Sequence, residues 1–399
     1  MKKIIKKYIP PDIWDIFRYI KNKFKRPVKN YFKTNFREDV LISYITSPFK
    51  NGIHLRHTNQ AEALEIAKVF KELRYNVDVV DYYYEGNLNY GKCSIIFGFG
   101  EPLEKSFYNR NHKILTIYYG TGMNTIYSNF FTLKRIEEVY KKKDKWLLES
   151  GRIVDKAWSV QTSLVDSIIT LGDDEVVNSY QKYFSRKIYN IPNSYYKTFD
   201  HEEILKNKNF RDAKNHFLWF GSSGLIHKGL DLLLEVFKEM SDFQLHVCGP
   251  IDNEPKFKNC YYEDLYNTKN IHTYGFINIQ SKSFKDIISK CAFIIFPSCS
   301  EGGSSSVINV MVYGLIPIVT NTAGIRFKDF GIEIKELTYA SVKESIIKAT
   351  SLSEDEIKER SLKCANDTIN NHSIEKYSSE LKKALIDILK KIDIIKEKI

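Results

Sequence analysis

The stretch SEGGSSSVINVMVYGLIPIV, residues 300–319, places a charged residue, two glycines and three serines directly ahead of an apolar helical run. The apolar segment AFIIFPS (292–298) precedes the loop, and Gly314 and IPIVTN (316–321) follow the helical run. This order predicts a strand, a loop, a helix over about 304–313 and a second strand. Such a unit has parallel strands, with the polar loop at the carboxyl end of the first strand.

The same alternation of strand and helix patterns extends over most of the 399 residues. It predicts an α/β protein with two doubly wound parallel sheets that face a central cleft. Helices are predicted over 60–74, where Asn59 and Glu62 could cap the helix, near 228–240, over 282–290 and along the charged tail 353–399. Strands are predicted at 40–46, 76–82, 93–100, 113–119, 157–160, 187–191, 216–221, 243–249, 271–277, 292–298 and 316–321.

The predicted domain organisation has five segments. Polar residues dominate the stretch 191–215, which is typical of a linker. The segments are 1–37, a basic amphipathic segment; 38–200, an N-terminal acceptor domain; 201–214, the linker; 215–375, a C-terminal donor domain; and 376–399, a C-terminal helix that could pack back on the N-terminal domain.

The formal net charge of +11 is concentrated at the N-terminus. Residues 1–37 carry twelve Lys and Arg against Asp12 and Asp15, and the rest of the chain is nearly neutral. Ile13, Phe17, Ile20 and other apolar residues recur there at helical spacing beside basic positions, which favours contact with an anionic membrane surface. The alternatives are a helix packed on the protein itself and a nucleic-acid-binding tail; no base-reading motif supports the tail.

The remaining composition favours a cytoplasmic protein. The six cysteines form no CxxC pair and are interpreted as reduced thiols. No apolar run is long enough to cross a bilayer, and no signal peptide is expected. We therefore expect a cytoplasmic protein that is peripheral on the inner face of the cell membrane.

Two loops of the second half carry residues suited to a phosphorylated sugar. WFGSSGLIHKGLDLL (219–233) contains a flexible GSSG and then Lys228, a mobile cation suited to phosphate. In the stretch 300–319, the backbone N–H groups and serines at a helix start suit an anion, whereas Glu301 suits neutral sugar hydroxyls. The alternatives are an ordinary βα loop with a surface Lys, and a helix start at which Glu301 and the serines act as caps.

These residues resemble family 4, or group 1, retaining glycosyltransferases of the GT-B fold, which have two Rossmann-like domains. The resemblance covers roughly 216–378 and also includes Gly249-Pro250 and His372-Ser373-Ile374-Glu375. It is less specific in the first half, at His57-Thr58-Asn59, Gly120-Thr121-Gly122 and Leu171-Gly172. The motif residues matched in the second half are Lys228, Gly229, Glu301, Met311, Gly314 and Pro317.

The resemblance implies a set of roles. Lys228 would neutralise the donor diphosphate and Glu301 would contact the transferred sugar, as the two catalytic residues. His57 and Gly120 would lie on the acceptor side, and His54 and the Tyr118-Tyr119 pair could face the acceptor too. The resemblance implies no metal, and no cofactor either, because the nucleotide-sugar is a substrate. Asp173-Asp174-Glu175 is not the spaced Asp-x-Asp of metal-dependent transferases and is interpreted as a helix start. The donor-binding residues would be Gly221, Ser222, Ser223, Gly249, Ser300, Gly302, Gly303, Ser304, Ser305 and Asn309.

Two departures from the family pattern bear on the donor. The family's Arg in the first loop is replaced by Ser222 and Ser223, and Arg326 could contribute a cation instead. Asn309 stands where the family has a second Glu, which holds the nucleotide ribose. Because Asn carries no charge, a relaxed ribose contact could admit a deoxyribose donor such as a dTDP-sugar.

The sequence thus predicts transfer of a hexose, with retention, from a nucleotide-sugar to a glycan or lipid-linked saccharide in bacterial surface polysaccharide synthesis. Three alternatives remain: a degenerate protein that binds a glycan or partner, an epimerase, and a phosphorylase of the same fold.

Overall fold

A computed structural model describes residues 26–55, 57–108, 114–154 and 159–397. The predicted amphipathic helix of the basic segment lies outside the described residues. Residues 26–37 already belong to the first domain, since Val28 exchanges two 2.8 Å backbone hydrogen bonds with Val79. Among the described residues, no helix is both long and apolar enough to cross a membrane.

The first sheet has six parallel strands in the order β2-β1-β3-β4-β5-β6. The strands are β1 (Glu38–Tyr44), β2 (Tyr75–Asp81), β3 (Cys93–Gly98), β4 (Leu115–Gly120), β5 (Ser167–Leu171) and β6 (Ile188–Ile191). β5 was not predicted. The strand predicted over 157–160 is wrong in its described part, because Ser159 and Val160 begin a helix.

The helices of the first half surround this sheet. Asn59 and Glu62 do not cap the second of them: Glu62 is buried and accepts a 2.9 Å hydrogen bond from Ser194 Oγ. The helices are α1 (Ser47–Asn51), α2 (Asn59–Glu72), α3 (Glu101–Ser106), α4 (Thr125–Lys143), α5 (Ser159–Leu164) and α6 (Asp174–Gln181).

The second sheet is also parallel, in the order β12-β11-β10-β7-β8-β9. Its strands are β7 (His216–Phe220), β8 (Gln244–Cys248), β9 (Ile271–Gly275), β10 (Phe293–Phe296), β11 (Ile316–Thr320) and β12 (Ile332–Ile334). The two sheets confirm the predicted α/β fold of two doubly wound, Rossmann-like domains.

Further helices precede, connect and follow the strands of the second sheet. The predicted linker contains the first two, and it contributes the buried Ile204 and Phe210 to the core under this sheet. The helices are α7 (His201–Asn207), α8 (Phe210–Ala213), α9 (Leu230–Glu239), α10 (Pro255–Cys260), α11 (Tyr262–Tyr266), α12 (Lys282–Lys290), α13 (Ser305–Met311), α14 (Tyr339–Thr350), α15 (Glu354–Asn371) and α16 (Ile374–Glu397).

Each half of the chain contributes a helix to the core of the other half. α4 follows β4 in the first half, yet Ile136 and Val139 are buried in the core that surrounds the second sheet. α16 ends the chain, yet Tyr377 and Leu381 are buried in the first core. The two domains are therefore tied together by packing as well as by the chain.

Candidate active site

A cleft of about 1020 Å³ lies between the two sheets, at the carboxyl ends of their strands. In the first half it is lined by loops after β1, β4 and β5 and in the second half by loops after β7, β8 and β10. Ligands of doubly wound folds bind at this edge because loops and helix starts converge there. Lys228 and Glu301 both line this cleft.

Lys228 is positioned by the glycine that follows it. Gly229 has φ +68°, and a Cβ there would lie 2.1 Å from the carbonyl oxygen of Pro297. The loop after β7 can therefore approach the end of β10 only with glycine at this position. The buried Lys228 also accepts a 3.2 Å hydrogen bond from Trp219 Nε1 at its carbonyl oxygen, and its Nζ lies 5.5 Å from the centre of the Phe296 ring.

Glu301 is the centre of a charged cluster. Its Oε1 forms a buried ion pair with Lys228 Nζ, and its Oε2 accepts a 2.9 Å hydrogen bond from Arg152 Nη1. Its backbone N–H donates to the carbonyl oxygen of Thr322 at 2.8 Å, which fixes the loop against the segment after β11. Two cations thus surround one carboxylate on the cleft wall.

The cluster keeps Glu301 ionised at neutral pH. Burial raises the pKa of this carboxyl, but Lys228 and Arg152 outweigh that effect and lower the pKa to about 2. Burial lowers the pKa of Lys228, whereas Glu301 opposes that shift. A permanently charged carboxylate can accept hydrogen bonds from hydroxyl groups but cannot donate a proton.

His227 lies next to the cluster and contacts the residue that precedes Glu301. This role was not predicted from the sequence. Burial lowers its pKa to about 3, so the ring is neutral. Its Nε2 donates a 2.5 Å hydrogen bond to the carbonyl oxygen of Ser300, and its Nδ1 accepts one of 2.7 Å from Thr132 Oγ1. Thr132 lies on α4, so a helix of the first half positions the residue that precedes Glu301.

The two glycines of the SEGGSSS loop contact the first domain. A Cβ on Gly302 would lie 2.5 Å from Gly122 Cα, and one on Gly303 would lie 1.9 Å from Asn193 Oδ1. Asn193 Nδ2 donates to the carbonyl oxygens of both glycines, at 3.0 and 2.8 Å. These glycines line the cleft and also allow the two domains to meet there.

The four serines of this loop also line the cleft. Ser305 Oγ accepts a 3.0 Å hydrogen bond from Thr58 Oγ1, which is a second contact between the domains. Ser304 Oγ lies 2.9 Å from Ser306 Oγ, and Ser300 provides the carbonyl oxygen that His227 contacts. The expected contacts of these residues with a donor stay a prediction.

Asn309 lies on α13 and lines the cleft, and its amide oxygen already accepts a hydrogen bond within the protein. Its Oδ1 accepts a 2.6 Å hydrogen bond from the backbone N–H of Tyr196. Asn309 offers a ligand the Nδ2 donor, where a Glu would offer only acceptors.

The loop after β7 is only partly as expected. Gly221, Ser222 and Gly249 line the cleft, whereas Ser223 is exposed and does not. The buried Glu254 holds this loop, since its carboxylate accepts hydrogen bonds from the backbone N–H groups of Gly224 and Leu225, the latter at 3.1 Å.

Of the two residues expected on the acceptor side, the structure brings His57 to the cleft but not Gly120. Gly120 is buried beneath the Tyr180 hydroxyl, which a Cβ would approach to 2.8 Å. Of the tyrosine pair, Tyr118 lines the cleft, whereas Tyr119 points into the first core and pairs with Tyr377 Oη at 2.9 Å. Adjacent strand residues face opposite sides of a sheet, which explains this separation.

His57 is held as a neutral ring. Its Nδ1 accepts a 3.1 Å hydrogen bond from the backbone N–H of Asn59. Desolvation by the surrounding cleft walls, together with the nearby Arg152 and Lys228, lowers its pKa to about 4. Since Nδ1 is the acceptor, Nε2 carries the proton and can donate to a ligand. His54 lies beside it in the cleft lining.

Arg152 is the main residue that sequence reasoning missed. Arg326, the expected substitute cation, does not line the cleft; it forms a 2.7 Å exposed ion pair with Asp174. Arg152 reaches Glu301 from a stretch without periodicity or motif, so only the tertiary structure reveals it.

The acidic cluster that begins α6 is a helix start, as interpreted from the sequence. Asp173 accepts hydrogen bonds from the backbone N–H groups of Glu175 and Val176, at 3.0 and 3.4 Å. Within the part of the chain that the structure describes, no group of three or more His, Cys, Asp and Glu residues is arranged to hold a metal ion.

Comparison with known families agrees with this geometry. The family model described as glycosyl transferases group 1 matches residues 201–330, which include Lys228 and Glu301. This part of the second half resembles the group 1 glycosyltransferases. The resemblance predicted from the loops is thereby confirmed over that stretch. No curated protein is significantly similar to the chain in sequence.

Solved structures share the GT-B fold. Sucrose-phosphate synthase from Thermosynechococcus elongatus has a TM-score of 0.62 at 12% identity, with 88% of this chain and 99% of that one covered. WaaG, a glycosyltransferase involved in lipopolysaccharide biosynthesis, has a TM-score of 0.53 at 13% identity, with 86% and 99% covered.

A further similar structure is longer than this chain. TarM from S. aureus has a TM-score of 0.50 at 17% identity, with 74% of this chain covered. The chain spans about half of TarM, 54% of its length. At these identities the likeness shows the fold alone.

Proposed function

We propose that this protein is a retaining glycosyltransferase that moves a hexose from a nucleotide-sugar to a glycan or lipid-linked saccharide. The observation that carries the proposal is the buried Lys228–Glu301 pair on the wall of the cleft between two doubly wound domains. A cation and a permanent carboxylate side by side suit a ligand that is an anion at one end and a polyol at the other. The group 1 match over residues 201–330 supports the same activity.

In the proposed mechanism, Lys228 contacts the donor diphosphate and Glu301 accepts hydrogen bonds from hydroxyls of the transferred sugar. The acceptor oxygen attacks the anomeric carbon from the side that the diphosphate leaves. The bond from that carbon to the phosphate oxygen breaks as the new bond forms. The acceptor's proton passes to the departing phosphate oxygen, so this step needs no protein base and no metal. Lys228 stabilises the charge that grows on the leaving group.

His57 acts as a donor on the acceptor side of the cleft. Its neutral ring with Nδ1 engaged leaves an Nε2–H group for a sugar oxygen or a phosphate oxygen. A base role is not part of the proposal, because the only unprotonated nitrogen already accepts from Asn59.

Asn309 bears on the choice of nucleoside. With its Oδ1 bonded to Tyr196, its Nδ2 can donate to ribose oxygens, but Asn309 lacks the charge and the second acceptor oxygen with which a Glu would accept from both hydroxyls of a ribose. A deoxyribose has one of these hydroxyls fewer, so a dTDP-sugar remains a candidate donor. Calorimetry that shows good binding of UDP-sugars and none of dTDP-sugars would contradict this.

The acceptor is proposed to lie at a membrane surface, on the inner face of a bacterial cell membrane, in surface polysaccharide synthesis. The basic segment 1–37 supports this, with its excess of positive charge. On α4, Ile126, Phe130 and Leu133 are exposed along one helix face, and the neighbouring Ser128 lines the cleft. An exposed apolar face next to the cleft suits an acceptor that is anchored in lipid.

The first experiment is a donor screen. The purified protein is incubated with UDP-, GDP-, dTDP- and ADP-sugars, and the released nucleoside diphosphate is measured. We expect release from one donor class, lost in Lys228→Ala and in Glu301→Ala. Lys238→Ala serves as the matched control, because its exposed ammonium pairs with Asp264 outside the cleft.

The other outcomes separate the alternatives. A donor that raises the melting temperature without any release, even with lipid-linked glycans added, would indicate a protein that binds sugars without turnover. Release that survives both substitutions would contradict the proposed roles of Lys228 and Glu301. Conversion of the donor sugar without release would indicate an epimerase.

A further inference from the structure

Arg152 belongs to the first half of the chain, but its segment is fixed to the Lys228 loop. The carbonyl oxygen of Ser150 accepts hydrogen bonds from the backbone N–H groups of Ile226 and His227, at 3.1 and 3.2 Å. These two residues directly precede Lys228. The amino-terminal end of the Arg152 segment is therefore positioned by the same loop that positions Lys228.

The other end of the segment is fixed as well. Asn129 on α4 exchanges two 2.9 Å hydrogen bonds with the backbone N–H and carbonyl oxygen of Val154. Between these anchors, the stem of Arg152 lies against Gly224, where a Cβ would come within 2.6 Å of Arg152 Cγ. The backbone and the stem of Arg152 therefore have a defined position before any ligand arrives.

The charges in the cleft require a second cation for a diphosphate. Lys228 and Arg152 are the only Lys or Arg side chains among the described residues that line the cleft. In the free protein both are bound to Glu301, which neutralises one of them. The Lys228 side chain is only 4% exposed, but that of Arg152 is 51% exposed and can turn to a ligand.

Building on the function proposed above, we propose that Arg152 is the second cation for the donor's diphosphate and that Glu301 holds its place in the free protein. When the donor binds, the guanidinium exchanges Glu301 Oε2 for phosphate oxygens. The freed carboxylate oxygen then accepts a hydrogen bond from a hydroxyl of the sugar. The planar guanidinium suits phosphate because it donates two parallel hydrogen bonds. Ser222 and Ser223 can then stand where the family has Arg.

The test measures the binding of UDP, dTDP, GDP and ADP by calorimetry. We expect Arg152→Ala to weaken binding about 10- to 100-fold, the effect of one charged hydrogen-bonding partner. Arg152→Lys should fall between, because it keeps the charge but loses the planar fork. Arg326→Ala, which removes an exposed Arg outside the cleft, should change binding less than about twofold. The melting temperature of Arg152→Ala should stay near that of the wild type, because the side chain is half exposed.

The outcomes distinguish this inference from the proposed function. If the wild type binds and Lys228→Ala weakens binding, but Arg152→Ala does not, the inference is overturned and the function stands. A larger loss in Arg326→Ala than in Arg152→Ala overturns it as well. If the wild type binds none of UDP, dTDP, GDP and ADP, the inference and the function fall together.

A second measurement tests the exchange itself. Glu301→Gln keeps the shape of the side chain but releases both cations, and UDP carries no sugar that needs the carboxylate. We therefore expect Glu301→Gln to bind UDP about tenfold more tightly than the wild type. The gain should be smaller in the Arg152→Ala background, since one of the two released cations is then missing. Equal or weaker binding by Glu301→Gln would contradict the exchange.

Discussion

At the scale of single residues, Gly229 shows how the backbone brings Lys228 to Glu301. Two requirements coincide at this glycine: a φ of +68° and a contact with Pro297 that leaves no space for a Cβ. Gly275 has nearly the same φ, +69°, but nothing lies within 4 Å of the position of its Cβ. A comparison of Gly229 with Gly275 therefore distinguishes the cost of backbone strain from the cost of a steric clash.

We predict that Gly229→Ala destabilises the protein more than Gly275→Ala. Both substitutions force a non-glycine residue into the left-handed region, at a cost of about 1–2 kcal/mol. Only Gly229→Ala must also move the Pro297 backbone, which should raise its total cost above about 3 kcal/mol. Urea unfolding of the two variants measures the difference, and equal losses would show that the contact with Pro297 relaxes without cost.

At the scale of elements, three histidines lie side by side on neighbouring strands of the second sheet. His216 Nδ1 and His246 Nε2 are 2.9 Å apart, and the His246 ring stacks on that of His272 with centroids 5.1 Å apart. Burial, together with the other two histidines and Lys290, lowers the pKa of His246 to about 3. Burial also lowers the pKa of His216, which Lys290 lowers further and Asp212 raises.

This histidine row should make the protein sensitive to acid. The unfolded chain binds a proton at each histidine below about pH 6.5, whereas folded His246 stays neutral down to about pH 3. The free energy of unfolding is therefore highest, as far as His246 is concerned, above pH 6.5. It decreases as the pH falls below that value, by up to about 1.4 kcal/mol per pH unit for His246. Urea unfolding between pH 8 and 5 measures the slope.

Substitution of His246 tests this assignment. His246→Gln should reduce the slope by up to one proton. An unchanged slope in His246→Gln would show that other groups cause the acid sensitivity.

At the scale of the whole molecule, the exchange of α4 and α16 couples the two domains. Arg135 on α4 forms a buried 2.6 Å ion pair with Asp231 on α9, although the two residues belong to different halves of the chain. In the opposite direction, Leu381 on α16 is fully buried in the first core. Each domain therefore depends on a helix that the sequence places with the other.

We predict that Leu381→Ala destabilises the first domain rather than the second. Removal of a fully buried leucine side chain costs about 2–5 kcal/mol. Hydrogen exchange should accelerate for amides of the first sheet, although residue 381 follows the second sheet in the sequence. Lys383→Ala, on an exposed position of the same helix, is the control. Faster exchange confined to the second sheet would contradict this coupling.

The strength of the local patterns explains which elements could be predicted. Short buried strands such as β10 and β11 are continuous apolar runs that no other element would explain. β5 was missed because Ser167 and Thr170 interrupt its apolar residues, so that it forms no continuous apolar run. The strand predicted at 157–160 was wrong because four mostly apolar residues are too few to distinguish a strand from a helix. α4 was missed because its buried face is divided between two domains.

The sequence by itself determined the two doubly wound sheets and the position of Lys228 and Glu301 in the loops at their carboxyl ends. Periodicity and loop composition are properties of a few consecutive residues, so they can be recognised in a single sequence. Only the tertiary structure revealed Arg152 at Glu301, His227 beneath Ser300 and the burial of Gly120. Each of these depends on which distant segment meets the loop. Contacts between segments far apart in the sequence are decided by packing in three dimensions, and no local pattern records them.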